Sequence, residues 1–494
     1  MSRRAGLLAF ALAASSVSVA GAGPTTDEPG PGEPGSMVPS GIDRGYVRPP
    51  PGTPVPVAHG LSKIIFVNPC RGGCTFTKST PGSSDAFGNQ TWLGDAPVGS
   101  SISISEFAHS QQVWDETIAC IREVYSPYGV EVVDVDPGPI PHHEAVLAGR
   151  ASELPIGGAL GVAPLGGGQC EPANNVISFS FANNHGPSAT MTVAQRMCWT
   201  VAQESAHSYG LDHEFDCSDP LTYIDGCGQK FFRNKAIRCG RGRVEECICG
   251  GATQNSHARL TAALGVGTLP PPPTLTVSAP INNSTVQPGF SVIATAIDRR
   301  GVARVEVSIN GWRWSVVEGV FGKTTPYLVA IPAGVPDGIM ELDVRACNDL
   351  DVCATQRVTV TRGLPCASAE ACAVGQRCDA GRCFWDPPTG VIGDACTYAQ
   401  ACVSEVCADI GSGDLACTEN CFGGPNDQCP VGFECSGATG QQGVCAPPPE
   451  PGGCCAVTGA GGSGDGAGTT AVAVNLGLGA LIGLVAIRRR RRRG

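Results

Sequence analysis

The chain has 494 residues, 26 of them cysteine, and a formal net charge of −11 at pH 7. This length predicts two to four domains rather than one. So acidic a surface argues against nucleic acid as a partner. The cysteines favour an oxidising compartment outside the cytosol, where they can pair. The 67 glycines and 40 prolines indicate that linkers take up an appreciable share of the chain.

The N-terminal end carries an export pattern. Arg3 and Arg4 precede an apolar run that ends in small residues, and this order predicts a signal peptide over residues 1–22. Residues 23–58 are rich in Pro and Gly with few large apolar side chains, so they predict a linker.

The C-terminal end resembles a sorting signal. Residues 471–487 are apolar and long enough to span a bilayer, and the tail at 488–494 holds six arginines that favour the cytoplasmic side. Before them, a linker at 448–470 contains Cys454 and Cys455. This order resembles the myxobacterial C-terminal sorting signal. The resemblance implies membrane insertion, processing near the Cys pair, and display at the cell surface or outer membrane, or release. A plain single-span anchor is the alternative.

Residues 59–265 predict a first folded domain with both helices and strands. The apolar spacing predicts a strand at 63–68, a helix at 110–125, strands at 130–135 and 176–181, and a helix at 193–208. The last helix leads into Gly210, a residue suited to ending a helix in the left-handed conformation. We therefore expect an α+β domain that ends near Leu264.

The last predicted helix and the turn after it carry a metal-binding pattern. The chain places Gln203, Glu204, His207, Gly210 and His213 at the offsets of H-E-x-x-H-x-x-G-x-x-H. Residues four apart share one face of a helix, so positions 203 and 207 face the same point. The pattern resembles the metzincin zinc metallopeptidases, with Gln203 in the place of the first His.

The resemblance implies a set of roles. Zn²⁺ would be held by Gln203, His207 and His213, and Glu204 would act as general base on a zinc-bound water. Gly210 would let the chain turn so that His213 reaches the metal. The implied function is an exported, surface-displayed zinc endopeptidase with a protein or peptide substrate.

The segment after His213 resembles the metzincin Met-turn. Residues 217–223 read Cys-Ser-Asp-Pro-Leu-Thr-Tyr. Leu221 stands in the Met position and keeps its apolar character, a volume-conserving change. Tyr223 stands where some metzincins place a Tyr that stabilises the oxyanion.

Gln203 leaves other hypotheses for the function open, because zinc sites are built from Cys, His and carboxylates and an amide is not among these ligands. If zinc is not bound, the chain is a catalytically inactive surface protein for adhesion or binding. Another His could replace the missing ligand. The candidates are His142 and His143 beside Glu144, and His185, and we predict that each lies in a surface loop. Minor alternatives are Cys217 as a ligand and a structural calcium at Asp212, Asp216 and Asp219.

The ten cysteines of the first domain can form five disulfides. We expect Cys198 and Cys217, which flank the motif, to brace it. Two pairs are too close in sequence to be obvious mutual partners, namely Cys70 with Cys74 and Cys247 with Cys249.

The second half of the chain predicts two further regions. After a Pro linker at 266–273, residues 274–363 alternate like an all-β immunoglobulin-like sandwich, with strands at 275–277, 290–297, 303–309, 327–331, 340–346 and 356–360. Cys347 and Cys353 flank a turn and can pair locally. Residues 364–447 hold 12 cysteines and little apolar sequence, so they predict a disulfide-rich module with a loose internal duplication.

Overall fold

A computed structural model describes the backbone of residues 46–47 and the whole of residues 61–154, 159–165, 170–224, 226–241, 243–320, 322, 325–411, 413–424, 429–439 and 441–448. These residues fall into two compact units that divide between Pro387 and Pro388. The predicted signal peptide, most of the N-terminal linker, the sorting tail and the apolar span lie outside them. Within the described ranges, no helix is both long and apolar enough to cross a membrane.

The N-terminal part is a mixed six-stranded sheet with helices. In chain order its elements are β1 (Tyr46–Val47), β2 (Ile64–Asn68), β3 (Cys74–Lys78), β4 (Gln90–Thr91), β5 (Ser101–Ile104), α1 (Gln111–Tyr125), β6 (Glu131–Val133), β7 (His143–Ala148), β8 (Gly161–Pro164), β9 (Ile177–Phe181), α2 (Val193–Ser208), β10 (Ile237–Arg238), β11 (Thr253–Gln254) and α3 (Ser256–Leu264). The sheet order is β1-β8-β9-β7-β2-β6. The last four strands in this order are parallel, and β8 runs antiparallel to β9.

The sheet has a hydrophobic core on each face. On one face, Ile65, Ala145 and Leu147 pack with residues of α1 and α2, among them Trp114 and Val201. The opposite face packs against a small sheet formed by β3, β4 and β5 and has its own cluster: Phe76, Ile102, Ile104, Val146, Ala148, Ile177 and Phe179. Because side chains alternate along a strand, neighbouring residues of β7 face different cores.

The two long predicted helices are confirmed. The first begins at Gln111, and Ser110 caps it by accepting a hydrogen bond from the Val113 N–H. The second has the predicted bounds. The central strand β7 was not predicted, and the assignment of His142, His143 and Glu144 to a surface loop is wrong. Strand β7 is buried along its whole length, so it lacks the alternation that marks a half-exposed strand.

All ten cysteines of this part are paired, in five disulfides: Cys70–Cys74, Cys120–Cys198, Cys170–Cys249, Cys217–Cys227 and Cys239–Cys247. The expectation that Cys70 and Cys74 do not pair is wrong. Gly72 and Gly73 adopt positive φ angles of 76° and 91° between them, and the Gly73 N–H donates to the Cys70 carbonyl at 2.7 Å. This tight turn brings the two cysteines together.

Residues 274–362 form the predicted two-sheet sandwich. Its strands are β12 (Thr274–Ala279), β13 (Ser284–Thr285), β14 (Ser291–Ile297), β15 (Arg304–Ile309), β16 (Trp312–Glu318), β17 (Tyr327–Ala330), β18 (Gly338–Cys347) and β19 (Cys353–Arg362). One sheet has the order β12-β14-β17 and the other β13-β19-β18-β15-β16. Cys347 and Cys353 pair at the β18–β19 turn, as predicted. Strands β13 and β16 were not predicted.

The sandwich docks on the N-terminal part through a buried arginine. Arg300 is 2% exposed, and its guanidinium donates to both carboxylate oxygens of Asp349 at 2.9 Å. It also donates to the Phe232 carbonyl at 2.7 Å and lies 4.9 Å from the centre of the Phe231 ring. Arg233 in turn donates to the Arg300 carbonyl. These contacts hold the two domains in one arrangement.

The disulfide-rich region is built from three four-cysteine units. The remaining strands are short: β20 (Arg377–Asp379), β21 (Arg382–Phe384), β22 (Cys407–Asp409), β23 (Leu415–Cys417), β24 (Asn420–Phe422), β25 (Glu434–Cys435) and β26 (Gln442–Ala446). In every unit the first cysteine pairs with the third and the second with the fourth: Cys366–Cys378 with Cys372–Cys383, Cys396–Cys407 with Cys402–Cys417, and Cys421–Cys435 with Cys429–Cys445. The first unit belongs to the same compact unit as the sandwich. The predicted duplication is therefore a threefold repeat.

We expect the Cys120–Cys198 disulfide, which joins α1 to α2, to contribute more stability than Cys70–Cys74. It closes a loop of 78 residues rather than 4, and loop closure predicts losses of about 4.5 and about 2 kcal/mol when each pair is changed to Ser. The two pairs are matched, since each joins one buried and one half-buried cysteine. Urea denaturation of the two double variants measures the difference. Equal losses would contradict the prediction.

Glu144 gives the N-terminal part a measurable pH dependence. Burial raises the pKa of Glu144 to about 7, and a hydrogen bond from Asn68 offsets only part of that effect. A carboxyl whose pKa is higher in the folded state stabilises the fold below its unfolded pKa of about 4.5, and that stability is lost as the pH rises through 7. Relative to Glu144→Gln, the parent should therefore lose about 3 kcal/mol of unfolding free energy between about pH 4 and pH 8.

Urea denaturation across this pH range tests the prediction. Glu131→Gln, on the exposed part of β6, is the control and should follow the parent. Parallel curves for the parent and Glu144→Gln would disprove it.

Candidate metal centre

Helix α2 is held at both ends by local interactions. At its start, the Thr192 hydroxyl accepts from the Gln195 N–H, and the Gln195 side chain accepts from the Thr192 N–H. At its end, Gly210 adopts a φ of +80°, and a Cβ there would lie 2.8 Å from the Cys170 carbonyl oxygen. Only glycine tolerates both the positive φ and the close approach of the carbonyl oxygen. The chain therefore turns directly from the helix toward His213.

The turn brings His207 and His213 into contact. Their ring centres are 4.5 Å apart, and both side chains are fully buried. Nδ1 of His207 lies 2.8 Å from the Leu211 carbonyl and donates to it, which leaves Nε2 as the nitrogen with a lone pair. Burial lowers the pKa of His207 below its usual range, and the neighbouring His213 lowers it further. His207 is thus a neutral imidazole, the form that binds metals.

Glu204 lies on the same helix, one position after Gln203, and is 2% exposed. Burial raises the pKa of Glu204 well above its usual range. Its Oε2 atom has no hydrogen-bond partner among the described residues. Gly161, the first residue of β8, lies so close that a Cβ there would be 2.6 Å from Oε1 of Glu204. No sequence pattern marked Gly161, because the strand it begins is short and lacks periodicity.

Gln203, the residue before Glu204 on α2, is also buried, with 8% of its surface exposed. In the described part of the chain, the only clusters of three metal-binding His, Cys, Asp or Glu side chains are cysteine triplets in the disulfide-rich region, and α2 holds none. All of those cysteines are in disulfides, which do not bind zinc as thiolates do. At α2 the structure brings together two imidazoles, and the sequence pattern offers the Gln203 amide as the third donor.

The histidines that could have replaced the missing ligand lie elsewhere. Nε2 of His143 is 3.0 Å from the Ser178 hydroxyl, on a strand of the sheet. His185 is 5% exposed, so its assignment to a surface loop is wrong as well. The charges that act on His185 are those of His109 and of Arg196 near the start of α2, three turns before the metal-binding end. Neither His143 nor His185 is among the groups that shift His207.

The loop after His213 forms a buried support. Leu221 is fully buried, and its carbonyl accepts from the Glu214 N–H at 2.8 Å. Asp219 fixes the loop by accepting from the Leu221 N–H at 2.9 Å and from the Ser256 hydroxyl at 2.7 Å. The Tyr223 ring stacks on His213 with centres 4.8 Å apart, and 43% of Tyr223 is exposed. The structure thus brings Tyr223 to the imidazole pair.

The minor alternatives for this loop do not hold. Cys217 is paired with Cys227, so it is not a thiolate ligand. Asp212 accepts from the backbone N–H groups of His213 and Ile248, and Asp216 binds Lys235. With Asp219 committed to the loop as well, the three carboxylates have structural roles and do not converge on a cation. Both Cys198 and Cys217 are in disulfides at the motif, as expected.

Comparison with known proteins identifies one domain. Residues 273–344 match the family described as a bacterial Ig domain, in agreement with the sandwich seen in the structure. A search of curated proteins finds no match to this chain.

Among solved structures, the chain is similar to a fibronectin(III)-like module of CbhA from Clostridium thermocellum, with 14% identity over 18% of this chain and 94% of the module, at a TM-score of 0.15. It is also similar to an endo-beta-1,4-mannanase from Thermotoga petrophila, with 13% identity over 22% of this chain and 23% of that one, at a TM-score of 0.16. A nucleoside hydrolase-related protein from Saccharophagus degradans matches with 14% identity over 37% and 53% of the two chains, at a TM-score of 0.13. The matches to these last two cover less than two thirds of those proteins, and scores this low carry no functional argument.

A bacterial Ig domain and a chain stabilised by disulfides are both typical of proteins outside the cytosol. The chain thus contains a bacterial Ig-like domain, followed by a disulfide-rich region.

Proposed function

We propose that this chain is an exported zinc-dependent endopeptidase whose active site lies at the end of α2. The observation that carries the proposal is the contact between the buried imidazoles of His207 and His213, with the buried carboxyl of Glu204 one turn earlier. Two buried imidazoles in contact, beside a buried carboxyl, are a combination typical of functional sites. The metzincin-like sequence pattern gives the same assignment.

The residues fit a zinc ion in their donor chemistry. His207 and His213 offer imidazole nitrogens. The Leu211 carbonyl holds His207 in the tautomer whose proton is on Nδ1, so the Nε2 lone pair can bind a metal. Gln203 supplies an amide oxygen as the weaker third ligand. When bound, zinc supplies a Lewis acid and a water of lowered pKa.

Glu204 and Tyr223 would perform the proton transfer and charge stabilisation. Glu204 accepts the proton of the attacking water and delivers it to the leaving amine. Its Oε2 atom is available for this because it has no hydrogen-bond partner in the described structure. The Tyr223 hydroxyl would donate to the oxyanion that forms on the scissile carbonyl. Tyr223 is partly exposed, so a substrate can reach it.

Strand β8 offers a place for the substrate. It starts beside Glu204, and an extended peptide can add to such a strand through backbone hydrogen bonds. In this structure β1 occupies that edge, with Tyr46 opposite Ala163 and Val47 opposite Pro164. The chain's own N-terminal segment would therefore compete with substrate.

The alternative is a catalytically inactive surface protein that binds a partner through the same cleft. Gln203 favours it, since an amide is a poorer zinc ligand than imidazole. In either case, we propose export through the signal peptide at 1–22 and display through the C-terminal segment at 471–487.

Zinc content and peptide hydrolysis test the proposal. The purified full-length chain should contain one zinc, and Gln203→His should hold it about tenfold more tightly. Glu204→Gln should retain zinc and lose about a hundredfold or more in hydrolysis of a denatured protein substrate. Plasma mass spectrometry and a fluorescent casein assay measure the two quantities.

Glu116→Gln, on the exposed face of α1, is the matched control and should behave like the parent. Zinc in Gln203→His but not in the parent would reject the enzyme and favour the binding protein. Equal hydrolysis by the parent and Glu204→Gln would reject Glu204 as base.

Weakening β1 should increase hydrolysis. Val47→Pro removes a backbone N–H from the pairing with β8 and should raise the initial rate several-fold, because the edge becomes accessible. Val38→Pro, the same change outside this strand, should leave the rate unchanged. The rate of casein cleavage by the intact chain measures the effect. Equal rates for both variants would rule out competition by β1.

A further inference from the structure

A second cavity lies on the sheet face away from α2. Glu144 alternates along β7 with Ala145 and Leu147, which pack toward the helices, so its side chain lies on the face opposite α2. There it lines an open cavity of about 390 Å³, bordered by Asn68, Asn89, Asp136, His142 and Phe87. This volume falls within the range of pockets that bind small organic groups. We call it the Glu144 pocket.

The carboxyl of Glu144 is only half satisfied. Oε1 accepts from the Asn68 amide at 2.6 Å, while Oε2 is buried and has no hydrogen-bond partner among the described residues. The side chain is buried, with 2% of the residue exposed. A buried carboxylate oxygen without a donor costs free energy, so the pocket lacks a hydrogen-bond donor at this point.

The charged side chains around Oε2 of Glu144 show which kind of group would complement it. Asp136 lines the same cavity and is close enough for its charge to act on Glu144. No Lys or Arg is present among the described lining residues, so two carboxyl groups share the pocket without a cation. Burial raises the pKa of Glu144 to about 7, as expected for an acid that has no cationic partner.

The rest of the wall is mixed, with polar side chains such as Asn89 and Thr75 beside a part that is apolar or aromatic. The rings of Phe66 and Phe87 and the Cys74 disulfide border the cavity, and Phe87 is 56% exposed. Such a wall favours an alkyl chain, and aromatic faces attract organic cations. A bare metal ion would find too few ligands, because the described residues form no cluster of three metal-binding side chains here.

We propose that the Glu144 pocket binds a primary ammonium group on a short alkyl chain, which donates to Oε2 of Glu144 and is attracted by Asp136. The ligand is either a free alkylamine or a lysine side chain of a peptide, since both present the same group. This assignment is independent of zinc, because the pocket and α2 lie on opposite faces of the sheet.

Calorimetric titration of the full-length chain in the presence of a chelator tests the proposal. n-Butylammonium chloride or Nα-acetyl-lysine methylamide should bind saturably, whereas n-butanol, which lacks the charge, should not. Glu144→Gln keeps the shape of the side chain and should weaken binding about tenfold or more. Asp136→Asn should weaken it by a smaller factor, and Glu131→Gln should leave it unchanged.

The two ammonium probes also distinguish a peptide lysine from a free alkylamine as the ligand. Binding of both ligands with a tighter Kd for the lysine derivative would support a peptide, and tighter binding of butylammonium would support a free amine. Absence of binding by both ammonium probes, equal binding to Glu144→Gln, or equal affinity for n-butanol would overturn the proposal. Calcium binding that displaces the amine and is lost in Glu144→Gln would overturn it in favour of a metal.

Discussion

The burial of the last two turns of α2 is the constraint on which the candidate site depends. A helix in this position can carry polar side chains only if the surrounding structure provides partners for them. Ser205 meets this condition by binding the Val201 carbonyl and the Tyr125 hydroxyl, each at 2.6 Å. His207 meets it through Leu211. Glu204 does not meet it, because its Oε2 atom has no hydrogen-bond partner among the described residues, and the same holds for the Ser208 hydroxyl. The proposed chemistry takes place at Glu204.

Local signals in the sequence were enough to predict α1, α2 and the sandwich, because caps, apolar spacing and alternation act over a few residues. The same signals failed for β7, which is buried on both faces and begins with the polar pair His143 and Glu144. They failed for Cys70 and Cys74 because the two glycines between them decide the pairing, not the separation. In the site, the helical positions followed from periodicity. The contact of Gly161 with Glu204 is tertiary, so no local pattern could reveal it.

Strand β7 connects the two candidate binding regions. His143 lies on the face of the sheet that carries α2, with its ring centre 5.8 Å from that of Tyr209. Glu144 lies on the opposite face. One strand therefore contributes buried polar residues to both faces of the sheet. Each face also has its own apolar cluster, so the two regions have separate supports. A ligand on one face does not need to disturb the packing on the other.

The Arg300–Asp349 contact bears on how this chain would respond to force. A domain joined by a flexible hinge would rotate to align with an applied force before transmitting that force to the neighbouring domain. Here Asp349 orients the Arg300 guanidinium within the sandwich, and that guanidinium donates to the Phe232 carbonyl of the N-terminal part. Arg299 of the sandwich also pairs with Glu123 of α1 at 2.7 Å. Tension applied to the far end of the sandwich would therefore pass directly into the Phe231–Arg233 segment. If the protein is held at a surface under flow, as proposed, shear would act on the fold that carries the candidate site. The loss of the Arg300–Phe232 hydrogen bond and the Arg299–Glu123 ion pair would then set the load at which the domains separate.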